Sequence, residues 1–108
     1  MKQMKLVLAM TALLALVVPT LMAGTAEDAT ALFKSKCVMC HGADGSGDTT
    51  MGKKLAIRDL RSDDVQKQTD EQLLEIIAKG KGKMPIFEGK IPADAMKSLV
   101  AHIRSFKK

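Results

Sequence analysis

The sequence predicts an all-α domain, and three observations carry that prediction. Apolar residues recur at helical spacing in three stretches. No segment alternates apolar and polar residues convincingly enough for a strand. The stretches between are rich in Gly and read as loops.

The chain opens on a segment of a different kind. Lys2 and Lys5 precede an uncharged run from Leu6 to Ala26, broken at Pro19, and the first acid is Glu27. Gly24 and Ala26 put small residues at the −3 and −1 positions of a cut after Ala26. A basic end, an apolar stretch and a small-residue exit are the layout of a cleavable secretory signal peptide over residues 1–26. An uncleaved anchor is the competing reading, because the run approaches bilayer-spanning length. Pro19 and the small-residue exit favour cleavage, so residues 27–108 are expected to form one exported domain.

The first helix is expected over Glu27–Cys40, with Ala29, Leu32, Phe33 and Lys36-Cys37 at helix spacing. His41–Thr50 holds three Gly and two Asp and reads as loop. A short helix fits Met51–Ile57. The second main helix begins at Thr69, where Thr-Asp-Glu-Gln forms a capping-box pattern, and stops at Gly80. Gly80–Ile91 is again loop. The third starts near Pro92 and carries Met96, Leu99, Val100, Ile103 and Phe106, an i, i+3, i+4, i+7 stripe.

Composition narrows the function. The 108 residues have room for one small domain, not a multi-domain enzyme. Two Cys exclude a disulfide-dense scaffold. Apolar residues make up 46%, but much of that surplus sits in the leader, and only 3% of the chain is aromatic. A core this thin lies in the size range where a metal, a disulfide or a cofactor often completes the fold. Lys2 and Lys5 leave with the leader, so the formal charge falls from +5 to +3. So small an excess, on an exported chain, argues against nucleic-acid binding.

The strongest chemical signal is Cys37-Val38-Met39-Cys40-His41. Two Cys three apart at the end of a helix fall on nearly the same face. They can form thioether links to the two vinyl groups of one haem, and His41 can then place an imidazole nitrogen on the iron. A thioredoxin-like dithiol sits instead at a helix start in an α/β fold. A structural zinc site wants four ligands, and the only other His is His102. Haem c, one per chain and covalently bound, is the expected cofactor.

Met84 is the best candidate for a second axial ligand. Gly80 and Gly82 free the backbone to approach the ring, and Pro85 stiffens the chain just after it. Met39 lies within the attachment motif, Met51 just after the Gly-rich loop, and Met96 on the third apolar stripe. His102 is the rival that would give a second imidazole.

Phe33 four residues before Cys37, the CVMCH motif, MPIF and the closing helix LVAHIRSF together resemble a bacterial class I c-type cytochrome of the small, single-haem kind. The resemblance spans nearly all of residues 27–108. It implies a cytochrome c fold in which the first and last helices cross, bringing Ala29 and Phe33 to Leu99 and the surroundings of His102. Many members have Tyr where His102 stands. Many also have a Pro soon after the motif whose carbonyl orients the ligand His. This chain has no Pro between His41 and Pro85, so a carbonyl in the Gly42–Gly47 loop is expected to take that place.

Ligation by His41 and Met84 leaves no open iron position. The expected role is therefore a monomeric periplasmic electron carrier, not an enzyme. Leu55, Ile57, Ile86, Phe87 and Leu99 are expected around the ring, with Arg58 a candidate for a haem propionate. Its partners are expected to be other redox proteins met transiently, with Lys79, Lys81 and Lys83 steering acidic surfaces. No stable membrane insertion is expected after signal cleavage. A haem-based ligand sensor or small peroxidase, with Met84 displaceable, is the alternative.

Overall fold

A computed structural model describes Ala15 and residues 26–108. The expected leader, residues 1–26, lies outside the described residues apart from Ala15 and Ala26. Six helices follow in order: α1 (Ala26–Lys36), α2 (Val38–His41), α3 (Thr50–Leu55), α4 (Asp63–Gln66), α5 (Asp70–Lys79) and α6 (Ala93–Arg104). Among the described residues no strand forms beyond two isolated bridges, Lys81 with Met84 and Glu88 with Ile91. No described helix is long and apolar enough to cross a membrane.

The single helix expected over residues 27–40 is two nearly continuous pieces. Cys37 is the joint, at φ −118° and ψ −32°. The helical ladder still crosses it: Cys37 N–H donates to Phe33 O and His41 N–H to Cys37 O, both at 2.9 Å. Helix α3 starts one residue before the expected Met51 because the Thr49 hydroxyl caps it. It stops short of Ile57 because Ala56 turns left-handed, at φ +50°. Helix α4 is too short for any periodicity to reveal. Its N-terminus is set by Ser62, whose hydroxyl accepts from Val65 N–H, with Asp63 and Asp64 in the first turn.

Helix α5 forms as its sequence predicts. Thr69 and Gln72 make a reciprocal capping box, and Gly80 ends the helix at φ +73°. Pro92 stands at the N-cap of α6, and the helix ends two residues before Phe106.

Helix α6 is the centre of the packing. It lies against both α1 and α5, while α2 bridges α1 and α3. Its stripe is buried as expected: Met96, Leu99, Val100 and Ile103, with Leu99 at 1% exposure. Phe33 from α1 and Leu73 and Ile77 from α5 close the same cluster. Burying each such side chain contributes roughly 1.5–3 kcal/mol. The expected crossing of α1 and α6 is present. The rings of Phe33, His102 and Phe106 form a triangle with centroids 4.9 to 5.2 Å apart.

Arg104 ties this layer to the chain before α5. Its Nε donates to Asp70 at 3.0 Å and its Nη1 to the Gln66 carbonyl at 2.7 Å, while Nη2 donates to the Gln68 carbonyl.

Candidate haem-binding site

The local sequence sets the spacing of Cys37, Cys40 and His41: the helical turn after α1 spaces the two thiols and places His41 at the end of α2. Both cysteines are free and half-buried. Burial, reinforced by Cys40, pushes the Cys37 thiol up to about 11. A thiol of a dithiol exchange motif has a depressed pKa, so this one is poised in the opposite sense.

Burial lowers the His41 pKa below its ordinary 6.5, which keeps the imidazole neutral near pH 7. Neutral imidazole is the metal-binding form. Its Nδ1 is buried and has no hydrogen-bond partner. The carbonyl expected from the Gly42–Gly47 loop is therefore not on the ring. The loop instead holds the His41 backbone: Gly47 N–H donates to the His41 carbonyl at 2.7 Å.

Met84 is half-buried on the turn after α5, and its N–H donates to Lys81 O at 3.0 Å. Gly80 approaches the Met84 backbone closely: an added Cβ there would stand 2.6 Å from the Met84 carbonyl oxygen, while Gly82 has nothing within 4 Å. Met84 and Cys37 pack against the same core cluster, which brings the two ends of the candidate site to one body of side chains. The other sulfur and imidazole candidates are placed differently. Met96 is core at 6% exposure, while Met39 and Met51 are exposed. His102 packs against Phe33 and Phe106.

The donor set fits a haem better than a bare ion. Among the described residues no three His, Cys, Asp or Glu side chains converge to hold a metal ion. A C-x-x-C-H turn suits a macrocycle that takes two thioethers and one nitrogen. Of the apolar residues expected around the ring, Leu99 is buried, and Leu55, Ile57 and Phe87 are half-buried. Ile86, which follows Pro85, is 56% exposed to solvent on the protein alone. Arg58 is exposed.

The lysine cluster is not uniform. Lys79 pairs with Glu88, while Lys81 and Lys83 are exposed. A separate open groove of about 300 Å³ runs along α5, lined by Gln68, Gln72, Glu75, Ile76, Lys79, Gly80 and Lys81. None of the four candidate haem residues lines it.

Sequence reasoning missed Thr49 and Gly52. The Thr49 hydroxyl donates to the Cys40 carbonyl at 2.7 Å and accepts from Gly52 N–H at 2.8 Å. The available signal was Thr49 as an N-cap before a short helix.

Fold and site together define a small all-α protein organised around a C-x-x-C-H turn. Residues 24–103 match the family model described as cytochrome c oxidase, cbb3-type, subunit III. The chain belongs to this family of c-type cytochromes, and its cofactor is covalently bound haem c. It is similar to a cytochrome c6 from Leptolyngbya boryana, 31% identical over 72 residues, or 67% of this chain and 81% of that protein. Among solved structures, the KustC0563 c-type cytochrome has a TM-score of 0.70 at 35% identity, covering 75% of this chain and 99% of its own. A mutant of that cytochrome has a TM-score of 0.67 at 35% identity, covering 74% and 99%.

Proposed function

We propose that this c-type cytochrome is an exported, monomeric electron carrier of the periplasm that holds one haem through Cys37 and Cys40. His41 and Met84 are its axial ligands. The observation that carries this reading is the helical turn Cys37–His41 set on the same core that receives Met84. The leader layout of residues 1–26 supports export.

When bound, the haem supplies one-electron exchange at its iron. The chain's own groups decide how that exchange is tuned. The half-buried Cys37 and Cys40 would hold the ring through thioether bonds to its two vinyl groups. Neutral His41 would supply a nitrogen to the iron. The Met84 thioether would be the second ligand, favouring reduced iron and raising the potential. Iron held by both would have no position free for a substrate. Lys81 and Lys83 give the Met84 side a positive surface that attracts acidic redox partners for brief contacts. Lys79 contributes less, because Glu88 neutralises it.

The test is mass and spectrum. Protein recovered from the periplasm should have the mass of residues 27–108 plus one haem. The reduced form should show sharp low-spin bands, and the oxidised form a weak far-red sulfur–iron band that Met84→Ala abolishes. Unmodified thiols overturn the attachment, and survival of the far-red band in Met84→Ala overturns that ligand. The reduced protein should be inert to carbon monoxide; rapid binding would favour a ligand sensor or small peroxidase.

A further inference from the structure

We infer that Thr49 and Gly52 are positioning residues for His41: at the start of α3 they hold the backbone from which its imidazole projects. This rests on the reading of His41 as an axial ligand.

A metal-bound imidazole almost always donates its second N–H to a carbonyl, a carboxylate or water, which fixes the ring plane. His41 Nδ1 is buried without such a partner. No group of the chain orients the ring through Nδ1, so what the protein itself holds is the root of the side chain. Holding both peptide planes beside the His41 Cα fixes the φ and ψ on which its allowed rotamers depend. The structure holds both. The plane before His41 is fixed by Thr49 Oγ1 donating to the Cys40 carbonyl at 2.7 Å. The plane after it is fixed by Gly47 N–H donating to the His41 carbonyl at 2.7 Å.

The Thr49 hydroxyl has two partners at once. It donates to Cys40 O and accepts Gly52 N–H at 2.8 Å, capping α3 while tying that helix to the attachment turn. A hydroxyl can do both because one atom carries a donor and two acceptor lone pairs. Thr49 N–H, in turn, donates to Gly47 O at 2.9 Å, joining the two halves of the clamp.

Gly52 makes the approach possible. An added Cβ would lie 2.2 Å from Gly47 O and 2.6 Å from Cys40 O, closer than real Cβ contacts come. Gly52 itself is fully helical, so this glycine is required by space and not by its own dihedrals. The two carbonyls in its way belong to the segment that holds His41. Any side chain at position 52 must therefore move α3 or the attachment turn.

The experiment uses the full haem-loaded protein and three variants: Thr49→Val, Thr49→Ser and Gly52→Ala. The readouts are the reduction potential and, in the oxidised form, the paramagnetically shifted proton resonances of the haem methyls and the His41 ring, which report the orientation of the ligand plane. Thermal unfolding is followed in parallel. Thr49→Val and Gly52→Ala should shift both the potential and the resonance pattern, and Thr49→Ser should restore both. A Thr49→Val protein that melts earlier but keeps the wild-type potential and resonances overturns the inference, because the hydroxyl then only caps α3. Equal shifts in Val and Ser overturn it as well. If Gly52→Ala does not accumulate, the Thr49 pair decides. A wild-type chain lacking covalent haem by mass, or His41→Ala keeping the native low-spin spectrum, overturns the underlying ligand assignment instead.

Discussion

The imidazole of His102 lies 4.9 Å from the ring of Phe33, centroid to centroid, at the crossing of α1 and α6. The edge of Phe106 closes the other side at 5.0 Å. Among these rings a charged imidazole loses hydration, so the His102 pKa falls below its ordinary 6.5. The consequence for stability has a definite sign. Between the folded pKa and 6.5 the unfolded chain binds more protons than the folded one. Stability therefore rises with pH through that window, and the stabilisation present above 6.5 is lost as pH falls through the folded pKa. Replacing His102 by Phe should flatten this part of the profile. Denaturant midpoints at about pH 5 and about pH 7.5 test it. An equal acid-side loss in wild type and His102→Phe would remove His102 from the account.

Gly45 should tolerate no side chain, for two independent reasons. Its φ is +75°, and an added Cβ would stand 2.8 Å from the Phe106 ring and 3.2 Å from Leu60. We expect Gly45→Ala to cost about 1–3 kcal/mol in chemical denaturation. Phe106→Ala removes the steric part and leaves the dihedral part. The double variant should then be less destabilised than the sum of the singles, by about 1 kcal/mol. Strict additivity would show that the ring is not what Gly45 accommodates.

What could be read in advance divides along sequence distance. Thr69, Gln72 and Gly80 specify α5 within a dozen residues, and the α6 stripe names its own buried face. The thiols and His41 are spaced by one helical turn, so their chemistry was equally local. Helix α4 was hidden because four residues show no period, and only the Ser62 cap marks it. The Thr49 bridge to Cys40 was hidden for another reason. It joins groups nine residues apart across a loop whose path depends on Gly47 and Gly52. The missing acceptor on His41 Nδ1 is likewise a property of the folded loop, as is the Lys79–Glu88 pair.

That ion pair divides the lysine cluster by effect. Lys83→Glu reverses an exposed charge beside Met84, and should slow association with an acidic redox partner about tenfold at low salt. Glu88→Gln should act the other way, because it releases the Lys79 charge. Stopped-flow association rates across ionic strength measure both, and the difference should shrink as salt rises. A slower rate in Glu88→Gln would show that Lys79 does not face the partner.

Removing the haem should unfold most of the domain. The core is thin for a fold of this size, with 3% aromatic residues in the chain and the buried side chains gathered on α6. Apolar groups are left without cover by the protein alone: Ile86 is 56% exposed and Met51 37%. His41 Nδ1 is buried without a partner, at a cost of about 1–3 kcal/mol. Small domains of this kind rarely hold more than about 3–5 kcal/mol from the core alone. A covalently held ring would supply the missing apolar bulk and, if ligated by Met84 as proposed, would couple α2 to the Met84 turn. The Cys37→Ala/Cys40→Ala chain, produced without haem, should show reduced helical circular dichroism and no sharp melting transition. A cooperative melt in that apoprotein would contradict the view that the ring is the centre of the core.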